Sequence, residues 1–315
     1  MTHYSRRVYE LLDNDRKLQS AEIQCFEYLN VEMQMATSRI LLQQYVPDDS
    51  VPMLFTILEA IIEEYRHIIS NIPYFDRSSA LQLLDKINTI KYNLMNPPSS
   101  FADFSIDEYY TNLSVEGSWV DILERLAHFV NARFIDSVTQ PWVLDAHIGH
   151  GISSGSVRAF FLPTANKFDL LSGLLLKPFF AAEGPYLYNF AAIGFIMAHE
   201  VGHSLELSDI TWSGKTKELS ENAEKGILAE QFCLMDFYDE LCTRYDHNVT
   251  VCNEGLKTLE ENFADQLAIR ATFNAYKKFA KRRKITTGIP GLENFTSEQQ
   301  FFLVLGTLWC GKADR

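Results

Sequence analysis

His199, Glu200 and His203 stand in the order His-Glu-Val-Gly-His. On a helix, positions i and i+4 share one face, so both imidazoles can reach a single metal ion while Glu200 projects beside them. An apolar run, Ala191 to Ala198, leads into the pattern and reads as the first turns of a buried helix. The ordinary alternative is a half-buried helix carrying two hydrogen-bonded histidines, and a third donor is needed to decide between them. Glu261-Asn262-Phe263-Ala264-Asp265, within the helically spaced segment Leu256 to Tyr276, supplies it. Glu261 and Asp265 are again i and i+4, so one carboxylate can ligate the metal while the other accepts the free N–H of a metal histidine. Two histidines, one glutamate and an open fourth position describe a catalytic zinc site, with one Zn2+ per chain held by His199, His203 and Glu261. Glu200 is then the general base and Asp265 the residue that supports it by orienting a ligand.

The elements that must position these residues differ along the chain. From Val8 to about Ile148 the pattern is almost entirely helical, with segments Ser20 to Tyr45, Met53 to Ser70, Ser78 to Met95 and Trp119 to Phe134. Breaks are expected at Pro47, Pro52, Pro73 and Pro97-Pro98. Between Gly149 and Gly173 the pattern changes: Gly149, Gly151 and Gly155 with Ser153-Ser154 mark a turn, and Val157 to Leu162 reads as a strand ended by Pro163. An extended chain can add to such a strand edge through main-chain hydrogen bonds, with alternate side chains entering pockets. The expected organisation is a helical scaffold over 1–148 and a catalytic subdomain over 149–315.

Composition bounds the rest. The 315 residues are 47% hydrophobic and 22% charged, which is globular rather than disordered. A net charge of −13 lacks the basic footprint of a nucleic-acid surface and leaves the substrate undefined. The apolar run Val8 to Leu12 is too short for a signal peptide, and Lys177 and Glu183 interrupt the longest candidate membrane span. Cys25, Cys233, Cys242, Cys252 and Cys310 have no zinc-finger spacing. Cys242 and Cys252 are close enough in sequence to close a local loop, with buried free thiols the equal alternative. Asn112, Asn248 and Asn294 each open a glycosylation tripeptide.

His-Glu-Val-Gly-His followed by Glu-Asn-Phe-Ala-Asp resembles the neprilysin and endothelin-converting-enzyme family of zinc metallopeptidases. Arg158-Ala159-Phe160-Phe161, Pro178-Phe179-Phe180, Asn189, Ile193-Gly194, Gln300-Phe301-Phe302, Trp309-Cys310-Gly311 and the Cys25 to Arg39 segment extend the resemblance over nearly the whole chain. It implies a mainly α (α+β) gluzincin-type domain with a small sheet beside the zinc helix, the helical half closing over the cleft. It implies peptide substrates cut on the amino side of bulky apolar residues, with Phe179, Ile196 and Trp309 lining the side-chain pocket or simply packing in the core. An asparagine that binds the substrate backbone is implied where this chain has Arg158, beside Ala159; Arg offers donors only, which predicts weaker anchoring. The histidine that stabilises the intermediate and the arginine that holds substrate lie beyond the family's Trp-Cys-Gly, and the chain stops at Arg315. Loss of one such donor lowers turnover on the order of 100- to 1,000-fold, so the expectations are an impaired enzyme or, alternatively, a peptidase-like binding or regulatory protein. Family members are extracellular or membrane-associated, and their counterparts of Cys25, Cys233 and Cys310 pair with cysteines outside this stretch.

Overall fold

A computed structural model describes residues 21–47, 51–94, 106–139, 155–212, 219–245, 254–286 and 288–310. They fall into two compact units, each taken by itself. The first is drawn from Met1–Tyr45, Met95–Val157 and Leu171–Gly173. Its helices are α1 (Ala21–Glu32), α2 (Gln34–Tyr45), α5 (Ile106–Tyr109) and α6 (Trp119–Thr139). Arg133 on α6 donates to the Tyr109 carbonyl at 2.9 Å, with its guanidinium 4.8 Å from the Tyr109 ring centroid. That cation–π contact clamps the short α5 to the long α6.

The second unit, Val46–Leu94, Arg158–Leu170 and Leu174–Arg315, holds every residue of the metal pattern. It contains α3 (Val51–Asn71), α4 (Arg77–Asn88), β1 (Lys91–Asn93), β2 (Ala159–Leu162), β3 (Lys167–Leu170), α7 (Tyr186–Asn189), α8 (Phe195–His203), α9 (Leu207–Trp212), α10 (Glu221–Tyr245), α11 (Glu254–Lys257), α12 (Leu259–Arg283) and α13 (Ser297–Thr307). The chain is thus mainly helical with one small sheet. Pro52, expected as a break before a helix from Met53, lies inside the helix instead: α3 starts at Val51, and a proline is tolerated in a first turn where the N–H has no partner to lose. The segment expected as one helix to Met95 stops at Asn88, and Lys91–Asn93 becomes a strand. Its partner is remote in sequence: β1 pairs parallel with β3, Lys91 opposite Lys167, and β2 pairs antiparallel with β3, Ala159 opposite Leu170. The order β1-β3-β2 makes β3 central, and its four residues are all buried. Lys167 and Asp169 share one face of β3 and form a buried ion pair at 2.9 Å, while Phe168 and Leu170 fill the other.

Burial around α8 is nearly complete. Phe190–Gly194 forms a π-helical turn that runs directly into α8, all five residues buried. Asn189, itself fully buried, accepts from the Ala181 N–H at 2.9 Å and donates to the Ala181 carbonyl at 2.8 Å, which pins the incoming loop. α8 packs most extensively against α12, and α12 also packs on α3. Leu54, Ile57, Leu58 and Ile61 of α3 are buried to 1% exposure or less, each contributing about 1.5–3 kcal/mol by leaving water. Gly202 sets how closely α8 and α12 approach: a Cβ there would lie 3.1 Å from both the Ala264 Cα and its carbonyl oxygen, and 3.2 Å from the Tyr65 hydroxyl. That hydroxyl, from fully buried Tyr65 on α3, donates to the Ala198 carbonyl at 2.6 Å, one residue before His199. Among the described residues no helix is long and apolar enough to cross a membrane.

Candidate metal centre

α8 presents His199 and His203 one turn apart, and α12 presents Glu261 in its first turn and Asp265 one turn on. The ring atoms His199 Nε2 and His203 Nε2 face each other at 3.0 Å. Glu261 Oε2 lies 3.1 Å from the first and 3.9 Å from the second. Each imidazole is held from behind: His199 Nδ1 lies 2.7 Å from Asp265 Oδ1, and His203 Nδ1 lies 2.6 Å from Glu206 Oε1. A carboxylate accepts only, so in the neutral rings each Nδ1 carries the hydrogen and each Nε2 keeps its lone pair. Two lone pairs facing at 3.0 Å repel unless a proton or a metal cation lies between them. In a tetrahedral zinc site with bonds of about 2.0–2.1 Å, ligand atoms stand about 3.3 Å apart, and the three separations here bracket that value. The donor set of two nitrogens and one oxygen fits zinc; all three ligand atoms lie within 4.8 Å of one another.

Electrostatics follow from the same crowding. Burial pulls both imidazoles down, but the carboxylates outweigh it: His199 is raised chiefly by its bond to Asp265, and His203, bonded to Glu206, is raised to about 9. Burial pushes the Glu200 carboxyl up to about 7 against the pull of the two imidazoles. Its Oε2 is buried with no hydrogen-bond partner, whereas Glu261 is 65% exposed at its side chain. The set therefore has one open-faced carboxylate that closes the triangle and one buried carboxylate free to take a proton.

The structure brings together His199, Glu200, His203, Glu261 and Asp265. Ile196 is half-buried on α8, three residues before His199 and so on the same face. Trp309, 62% exposed, meets the buried Phe195 edge-on at 5.2 Å between centroids, and Phe195 lies 6.3 Å from the His199 ring. Ala159 opens β2, which packs beside α8, and Arg158 is exposed just before it. Phe179 is half-buried in the turn before Phe180. Among the described residues no ring contact or ion pair joins Phe179 or Arg158 to the cluster. Glu206 was not legible beforehand; an acid three residues after the second histidine is the only signal, and a weak one. Cys25, Cys233 and Cys310 are free. The loop through Cys252, the Asn248 tripeptide and the turn at Gly149 to Ser154 lie outside the described residues.

This fold and donor set define a gluzincin-type zinc metallopeptidase domain. The sequence model of peptidase family M13 matches residues 158–315, and the chain belongs to that family. It is 24% identical over 294 residues to neprilysin-11 of Caenorhabditis elegans, covering 91% of this chain and 34% of that protein. It is 25% identical over 307 residues to human membrane metallo-endopeptidase-like 1, covering 91% and 37%. The chain thus spans little more than a third of the length of these curated relatives. Among solved structures, the open state of the Mycobacterium tuberculosis zinc metalloprotease ZMP1 superposes with a TM-score of 0.72 at 17% identity, covering 95% of this chain and 45% of that one. A Haemonchus galactose-containing glycoprotein complex superposes with a TM-score of 0.77 at 23% identity, covering 93% and 46%.

Proposed function

We propose that the chain carries the catalytic centre of a zinc metalloendopeptidase that hydrolyses oligopeptides on the amino side of bulky apolar residues. The observation that carries this reading is the pair of Nε2 atoms 3.0 Å apart with Glu261 Oε2 beside them, each Nδ1 engaged by a carboxylate. His199, His203 and Glu261 would hold the ion, and zinc in that position supplies a Lewis acid that polarises a carbonyl and makes water more acidic. Glu200 does the proton work. A buried carboxyl raised to about 7, with one oxygen unpartnered, accepts a proton from the attacking water and returns it to the leaving amine. Asp265 keeps the His199 ring in the orientation and tautomer that ligation needs.

Substrate is proposed to lie as an added strand along the outer edge of β2, whose second edge has no strand among the described residues. Backbone groups from Ala159 onward would supply the hydrogen bonds, and the Arg158 guanidinium would add donors at the strand's start. Exposed Trp309, packed on Phe195 next to His199, and half-buried Ile196 support a bulky apolar side chain next to the cleaved bond, and Phe179 joins this pocket on the family resemblance alone. The net charge of −13 lacks the basic footprint that a nucleic-acid partner would need. The test uses the wild-type chain and Glu200→Gln, with zinc measured by elemental analysis and hydrolysis followed on a peptide with a central Phe or Leu. Both should hold about one zinc, and Glu200→Gln should lose about 10²- to 10⁴-fold in turnover. A folded wild type with under about a tenth of an equivalent of zinc would contradict the metal centre, and equal hydrolysis would contradict the base.

A further inference from the structure

We propose that Glu206 is a positioning residue of this centre, fixing His203 as Asp265 fixes His199. The inference rests on the zinc reading above but adds a residue that the helix-borne pattern does not contain. Glu206 follows the end of α8 in the turn before α9, and its backbone is held on both sides: its N–H donates to the His203 carbonyl at 3.1 Å, and its carbonyl accepts from Ile210 at 2.9 Å. The side chain is confined in its turn by burial. That side chain is 3% exposed and sits 2.6 Å from His203 Nδ1. Placing a carboxylate in a buried turn is costly unless it is paired, and the His203 ring is the partner the structure provides. The two metal histidines are therefore held by different routes. Asp265 comes from α12 and joins two helices, whereas Glu206 comes from the turn that ends the histidines' own helix, so its contribution is to ring orientation rather than to helix docking.

The consequence is a defined tautomer. With Glu206 as acceptor, neutral His203 carries its hydrogen on Nδ1 and offers Nε2 to the ion; without an acceptor the ring can turn or carry the hydrogen on Nε2, where it blocks ligation. The test compares wild type with Glu206→Met, which is similar in length and accepts poorly, and Glu206→Gln, which keeps a neutral acceptor. Zinc affinity is read by chelator competition, and the His203 tautomer by ring ¹⁵N shifts of the metal-free protein above the imidazole pKa. Zinc affinity should fall by about 10- to 100-fold in Glu206→Met, and less in Glu206→Gln. The Nδ1–H form should dominate in wild type and Glu206→Gln and be lost in Glu206→Met. Wild-type affinity and tautomer in Glu206→Met would overturn the proposal; if that variant does not fold, wild-type affinity and tautomer in Glu206→Ala would overturn it. A wild type that takes up no zinc but shows the Nδ1–H tautomer would remove the metal reading and this role with it, a result distinct from either variant outcome.

Discussion

At the scale of single residues, the proposed centre divides its labour between groups that would touch the ion and groups that aim them. Asp265 illustrates the second kind: its 2.7 Å contact from α12 holds the His199 ring on α8. Asp265→Ala should weaken zinc binding by about 10- to 100-fold while leaving Glu261 in place, measured by chelator competition. Equal affinity in wild type and variant would show that the contact does not orient the ligand. His199, His203, Glu261 and Asp265 were legible in the sequence because each pair is spaced i and i+4, and a helix turns that spacing into one face. Glu206 was not, because it lies in a turn with no periodic signature, and only its burial against His203 separates it from an ordinary surface acid. Ile196 could be placed from its helix register with His199, whereas the meeting of Trp309 with Phe195 depends on packing remote in sequence.

At the scale of elements, the site depends on how closely α8 and α12 approach. Gly202 allows that approach, with Ala264 backbone atoms at 3.1 Å from where a Cβ would stand. Gly202→Ala should push the helices apart, costing about 1–3 kcal/mol of stability and weakening zinc binding through the displacement of Glu261. Thermal unfolding and zinc titration of the variant check this, and an unchanged midpoint with unchanged affinity would show that the interface can absorb a methyl group. The long helices were readable from apolar spacing, and α6 even runs past its expected end to Thr139. The β1 strand was not, since three residues give no alternation to read and the pairing of Lys91 with Lys167 is set by tertiary structure. Pro52 misled for a related reason: the sequence marks a proline, but only the helix register says whether its missing N–H matters.

At the scale of the molecule, contacts remote in sequence hold the second unit together, and one of them responds to pH. Asp76 caps α4 by accepting from the Ser78 N–H at 2.8 Å and the Ser79 N–H at 3.1 Å, and it also accepts from the Ser220 hydroxyl just before α10. The bond from Ser220, then those from Ser79, hold its carboxyl well below the usual carboxylate range. A carboxyl depressed in the folded state contributes stability that is present in full above its unfolded value, about 3.9, and is lost as pH falls toward the folded value. Asp76→Asn should therefore lower the unfolding temperature of wild type at pH 7, and the gap should narrow below about pH 4. A gap that stays constant from pH 7 to pH 3 would contradict the linkage.

The account as a whole stands on zinc held by two imidazoles and a carboxylate, and zinc K-edge absorption of the wild-type chain with one equivalent of metal tests it most directly. The predicted spectrum has a shell of nitrogen and oxygen at about 2.0–2.1 Å with the outer scattering of two histidine rings. A sulfur shell at about 2.3 Å, or a spectrum without imidazole scattering, would contradict it.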